Sequence, residues 1–202
     1  MSEQAPHRQE HLPNGQEEHE QEPKHQPRIY VASLSDYNAG RLHGKWLDAA
    51  QYPEALLAGI SAMLAASPEP GAEEWAIHDY EQFCGVRLGE YDSIESLSKI
   101  ALGIAEHGAA FGAWASYLGH DSWDDLDRFE DCYQGHWESL TDYAESLLED
   151  LGLDEIIERA VPENLQPYVR IDAEALARDM SYSGELYAVD DDETGGVFLF
   201  WP

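Results

Sequence analysis

Apolar positions recur along residues 137–151 with the spacing of one helix face. At 100° per residue, Leu140, Tyr143, Ala144, Leu147 and Leu151 fall within about 100° of arc, the width of a core-facing stripe. Glu138, Asp142, Glu145 and Glu149 fall on the opposite side. The pattern predicts a helix over 137–151 that packs on one face and carries a row of carboxylates on the other, with Gly152 as its C-terminal cap. Upstream the pattern is different. RIYVASL (28–34) and RLHGKWLDA (41–49) read as strands, with SDYNAG as the turn between them. PEALLAGISAMLAA follows as a helix with Pro53 in its first turn, and EWAIHDYE (74–81) as a third strand.

From Asp92 onward the chain becomes helical. Asp92 and Glu95 are spaced as a capping box, and short helices are expected at about 93–106, 108–118 and 122–133. After the acidic helix, Asp172 is placed to cap AEALARDM. YSGELYAV and GVFLFW around DDDETGG then read as a β-hairpin. The expected class is α+β, built of three small domains in an elongated chain. These are an N-terminal antiparallel sheet plus helix (28–91), a central helical bundle (92–134), and C-terminal helices with an antiparallel hairpin or sheet (135–202). Residues 1–27 are nearly all Glu, Gln, His and Pro, and are expected to form a disordered acidic and polar tail. Four of the nine histidines (His7, His11, His19, His25) sit in this tail and read as solvated rather than metal-binding.

Charge changes the picture. The 202 residues hold 41 acids against 11 Lys and Arg, a formal net charge of −30. The stretch 121–155 alone holds thirteen carboxylates and a single base, Arg128, yet is rich in Trp, Tyr, Phe and Leu and must fold. Such a surface repels phosphate and anionic membranes, which excludes general nucleic-acid and membrane binding. Neighbours in the Glu138–Glu149 row are like charges at i,i+3 or i,i+4, each pair costing roughly 0.2–0.5 kcal/mol. A helix built for stability alone would carry Lys there. The row advances about 16 Å at 1.5 Å per residue, one charge about every 5 Å, the same order as phosphates along a DNA strand. A second row can be drawn through Asp124, Asp127 and Asp131, and a third through Glu73, Glu74, Asp79 and Glu81. Two readings stand on charge alone: imitation of DNA, and the acidic surface of an ordinary soluble or halophilic protein.

Other chemistry is weakly represented. Cys84 and Cys132 fit neither a disulfide framework nor a zinc motif and read as small hydrophobes. DDDETGG places Trp201 where a calcium loop needs Glu. His78 and Asp79 near Cys84 suggest a thiol nucleophile only distantly, and paired carboxylates cannot be singled out among 41. No metallopeptidase, nucleophile-elbow or phosphate-loop pattern is present, so no catalytic residue, metal or cofactor is expected. No apolar run has the ~18 residues of a membrane span, and no signal sequence is evident, so a cytoplasmic location is expected.

Three ordered segments resemble the ArdA-type antirestriction proteins. They are PRIYVASLSDYNAGRLHGKWLDA with Gly44 and Trp46, EWAIHDYE with Ile77, His78, Asp79 and Tyr80, and PENLQPYVRIDAEALARDM with Pro162, Leu165, Gln166, Tyr168, Ala177, Arg178 and Asp179. The resemblance covers about residues 27–202, with the segment from Gly152 to Pro162 about one helical turn longer than the family pattern. It implies a non-catalytic protein of mobile elements, dimeric through its C-terminal domain and shaped like bent B-form DNA. The implied partner is the DNA-binding groove of type I restriction–modification enzymes, held by their specificity and methyltransferase subunits. Cleavage would be blocked and methylation less strongly. Glu138, Asp142, Glu145 and Glu149, then Asp124, Asp127 and Asp131, are the candidate phosphate stand-ins. Pro162, Leu165, Tyr168 and Leu176 are candidates for dimer or motif packing. The competing targets are another DNA-binding protein, such as a nucleoid protein or a different nuclease; a metal-buffering or halophilic adaptor and a carboxylate hydrolase are the remaining alternatives.

Overall fold

The computed structural model describes residues 25–201. The expected disorder over residues 1–24 lies outside them. The fold is mixed helix and sheet, with two three-stranded antiparallel sheets.

The first sheet has the order β2-β1-β3, from β1 (Arg28–Ser33), β2 (Gly44–Asp48) and β3 (Trp75–Glu81). Ile29 and Val31 alternate onto one face of β1 and are fully buried, together with Leu56, Ile60 and Met63 of α2 (Pro53–Ala65). The SDYNAG segment is not a simple turn. Ser33 accepts a hydrogen bond from the Asp36 backbone and caps a one-turn helix, α1 (Leu34–Asn38). Where β1 meets β3 the register skips His78, since Tyr30 pairs with Asp79 and Val31 with Ile77. This bulge leaves His78 exposed, edge-on to Tyr37 with 5.1 Å between ring centroids. Residues 25–27 belong to this unit: the Gln26 N–H donates to Gln82 Oε1 at 2.9 Å, and Pro27 is buried.

Helices α3 (Ile94–His107) and α4 (Ala109–Leu118) follow. The cap of α3 is Ser93, one residue later than the box expected from Asp92; its hydroxyl donates to Glu95 at 2.6 Å, while Asp92 accepts from the Gly89 N–H. A single residue, Gly108 at φ 66°, ends α3 and starts α4. The expected helix over 122–133 is instead a 3-10 helix (His120–Arg128), kinked at Ser122, followed by the short α5 (Phe129–Cys132). A 3-10 helix has three residues per turn, and Trp123, Leu126 and Phe129 are buried at that spacing.

The second sheet has the order β4-β6-β5, from β4 (Tyr133–Trp137), β5 (Tyr187–Asp190) and β6 (Val197–Phe200). The β5–β6 hairpin matches the sequence expectation, but β4 does not. The expected helix over 137–151 begins only at Leu140, and Trp137 closes a strand. Helix α6 (Leu140–Asp150) leads through Gly152, in the left-handed conformation at φ 63°, into α7 (Leu153–Ala160). A 3-10 turn (Gln166–Tyr168) and α8 (Ala173–Ser183), capped by Asp172 as expected, complete the unit.

Strand β6 separates two apolar interiors. Phe198 and Phe200 enter a cluster that runs without a break from Ile29 and Val31 through α2, α3, α4 and the 3-10 helix. Leu199, on the other face, joins Tyr143 of α6, Met180 of α8 and Leu186. Leu151, expected on the core stripe, is 60% exposed, because α6 ends before it.

Candidate anionic surface

Of the 35 Asp and Glu among the described residues, 30 are exposed. Bridges to Lys or Arg engage only Glu81, Asp36, Glu69, Asp127 and Glu155 among them. Exposed charges in water lose no solvation, so the fold tolerates them, but among the described residues these few bridges offset only a small part of their mutual repulsion.

The α6 row is shorter than its sequence suggests. Glu138 precedes the N-cap Ser139 and is exposed at the end of β4, outside the helix. Asp142 is half-buried and engaged in the cap: its backbone N–H donates to Ser139 Oγ at 3.2 Å, and the Ser139 hydroxyl donates to its carboxylate. Glu145 and Glu149 are exposed at i,i+4, and among the described residues neither forms an ion pair. The second row also divides. Asp124 and Asp127 share one side of the 3-10 helix, about 6 Å apart at 2.0 Å per residue. Lys99 Nζ, however, lies 2.9 Å from Asp127 and neutralises it. Asp131 belongs to α5 and is exposed. The third row splits between surfaces: Arg28 bridges Glu81 at 3.1 Å, whereas Glu73 and Glu74 face a different neighbourhood.

Glu73 and Glu74, with Asp92 and Glu95, line an open groove of about 660 Å³ together with Trp75 and Tyr91. The hydrogen bond from Ser93, with a smaller contribution from the backbone, holds the Glu95 carboxyl below its ordinary value. Sequence spacing does not reveal this groove, because its acids come from the segment before β3 and the start of α3. The signal available was the acid-aromatic pattern EEW, which starts eighteen residues before YDSIE.

The third motif divides between interior and surface. Leu176 is half-buried against the Tyr143–Met180–Leu199 cluster. Pro162 is exposed, Leu165 is 48% exposed and Tyr168 82%. Gln166 turns inward on the backbone, its side-chain amide donating to the carbonyls of Glu158 at 3.0 Å and Val161 at 3.2 Å at the end of α7. Helix α7 occupies the lengthened segment before Pro162 and buries no residue. Ile156, Leu151, Val169 and Tyr182 are also exposed in this part of the chain.

His78, weighed from sequence beside Cys84, packs edge-on against Tyr37. Burial, with Glu193 and Asp191 nearby, pushes the Cys84 thiol up to about 11, far from a reactive thiolate. In the DDDETGG turn, Asp191 is buried, accepting from the backbone N–H groups of Glu193 and Thr194 and from the Thr194 hydroxyl, with His136 Nε2 at 3.2 Å. It organises the hairpin loop. Among the described residues, no helix is long and apolar enough to cross a membrane.

Compared with models of known families, residues 29–193 match the family described as antirestriction protein (ArdA). No curated protein matches the chain.

Proposed function

Because the chain belongs to the ArdA antirestriction protein family, we propose that it blocks type I restriction–modification enzymes by occupying their DNA-binding groove as an acidic imitation of B-form DNA. The observation that carries this reading is the excess of exposed carboxylates without cationic partners. A groove shaped for phosphate is basic. Fixed carboxylates meet it without base contacts, so inhibition extends across enzymes of different sequence specificity. Glu145 and Glu149 are the first phosphate stand-ins, with Glu138, Asp124 and Asp131 beside them. Asp142 and Asp127 contribute less, since a cap and Lys99 already engage them.

The active form is a homodimer. Residues 28–202 carry 35 acids against nine bases, hence −26, and a pair carries −52. At one charge per ~1.7 Å of duplex, that equals roughly 90 Å of DNA. An elongated pair distributes this charge at DNA-like density. The exposed apolar residues Leu165, Tyr168, Val169 and Ile156 of the C-terminal unit supply its interface, with Pro162 at the edge and Leu176 packing beneath. The specificity and methyltransferase subunits hold the groove, and cleavage is blocked more strongly than methylation. Location is cytoplasmic, where these enzymes meet incoming DNA.

The decisive experiment titrates the purified protein into a type I enzyme holding labelled DNA. Displacement near stoichiometry, weakening steeply as salt rises, is the expected result. DNA that stays bound at excess inhibitor rejects this target. The same titration against a histone-like nucleoid protein or an unrelated nuclease separates the second reading, a mimic aimed at another DNA-binding protein.

A further inference from the structure

Three side chains that share one coordination chemistry converge from distant parts of the chain. A ring nitrogen of His25, the Cys84 sulfur and a Glu193 carboxylate oxygen all lie within 4.8 Å of one another. His25 Nε2 and Glu193 Oε2 are 3.8 Å apart. His25 and Cys84 are half-buried, and Glu193 is exposed. We propose that His25, Cys84 and Glu193 bind one divalent transition-metal ion, Zn²⁺ by preference, which pins the N-terminal segment and the β5–β6 turn to the loop after β3.

The donor set selects the metal. Imidazole, thiolate and carboxylate are the three protein ligand types of Zn²⁺, whereas Ca²⁺ and Mg²⁺ take oxygen alone. Donors 2.0–2.3 Å from a tetrahedral ion stand roughly 3.5 Å from one another. The His25–Glu193 distance is already close to that. The separations from Cys84 Sγ, each within 4.8 Å, close by about an ångström on binding. Two negative ligands balance the ion's two charges. On binding, the Cys84 thiol gives its proton to solvent, and the metal keeps its oxidation state.

Each ligand is held by its own neighbours, as metal ligands require. The Gln26–Gln82 hydrogen bond fixes the chain beside His25. Cys84 packs against α4 so closely that a Cβ added at Gly112 would stand 2.5 Å from the Cys84 Cβ. Asp191 fixes the backbone of Glu193 through a 3.0 Å hydrogen bond. A cavity of about 220 Å³ adjoins the site, lined by His25 and Glu193 and by His107, His136 and Asp191, and leaves room for water as the fourth ligand. A clip between residues 25 and 193 closes a loop over nearly the whole described chain. Long closures restrict the unfolded state most.

The test uses Co²⁺ as a spectroscopic stand-in on the purified full chain. One equivalent is expected to give intense four-coordinate visible bands and a thiolate-to-cobalt charge-transfer band, and Zn²⁺ to abolish both on displacing it. Cys84→Ser should remove the charge-transfer band. His25→Ala and Glu193→Gln should each lower affinity at least about tenfold, while Glu54→Gln, exposed on α2, leaves it unchanged. A chain this acidic also attracts cations loosely. Absence of the charge-transfer band in the unsubstituted protein, or equal Co²⁺ affinity in His25→Ala, means loose carboxylate binding only and overturns the site. His25 lies outside every helix and strand, so its variant remains informative if Cys84→Ser disturbs packing.

Discussion

The ring of Phe200, in the last strand, lies 5.4 Å from the ring of Trp114 in α4, and both side chains are fully buried. The contact joins the second sheet to the central helices, and through them to the first sheet. Phe200→Ala should therefore cost about 3–5 kcal/mol, the range for a large aromatic removed from a core. Urea denaturation followed by tryptophan fluorescence and by circular dichroism checks it. Coincident transitions are expected for residues 28–134 and β6, which share one interior; separate transitions would instead favour independently folding units.

Gly44 of the first motif has no room for a side chain. A Cβ there would meet the Val31 carbonyl oxygen at 2.5 Å and the Tyr30 ring at 2.7 Å. Gly44→Ala should destabilise by about 1–3 kcal/mol, since backbone cannot move aside as a flexible side chain would. Thermal melts of the purified variant provide the measurement.

On α6, stability and inhibition should respond in opposite directions. Glu145→Gln with Glu149→Gln removes an i,i+4 repulsion and should add about 0.2–0.5 kcal/mol, yet inhibition of a type I enzyme should weaken. Ser139→Ala removes the cap and should cost about 1 kcal/mol with little change in inhibition. Unaltered inhibition by the double variant would exclude this row from the mechanism.

Acid should loosen the first motif through Asp36. Burial pushes this carboxyl up, but the hydroxyls of Ser67 and Ser33, then the charges of His43 and Arg41, outweigh it and hold the group below its ordinary value of 3.8. The folded protein thus binds the proton less readily than the unfolded chain. The stability this group supplies is full above pH 3.8 and is lost as the pH falls through the lower folded value. Asp36→Asn should be less stable than the unsubstituted protein at neutral pH and show a smaller loss on acidification. Urea midpoints at pH 7 and in the acid range would reveal this; equal acid sensitivity would assign the loss to other carboxylates.

Leu165→Asp and Tyr168→Asp probe the proposed dimer. Both positions are exposed in the single chain, so neither change should unfold it. Light scattering after size exclusion is expected to show monomers. A fully dimeric Leu165→Asp would place the interface elsewhere.

The three motifs, the α2 helix, β3, the Asp172 cap and the closing hairpin were legible locally, because strand alternation, Pro53 and capping chemistry act over a few residues. The family followed from the same segments. Other local features competed. Tyr133–Trp137 was hidden as a strand because its partner β6 lies some sixty residues away, and a strand acquires its hydrogen bonds only from that partner. Buried positions at 123, 126 and 129 had the 3-10 period, but the α-helical reading absorbed them.

Composition alone sets the sign and scale of the charge, and local backbone preferences set most of the elements. Whether a distant cation reaches a carboxylate was decided by the tertiary structure: Lys99 of α3 meets Asp127 only once the helices are placed, whereas the Ser139 cap on Asp142 is local. The meeting of His25, Cys84 and Glu193 was decided there as well, because proximity between distant segments follows from packing, and no spacing along the chain encodes it.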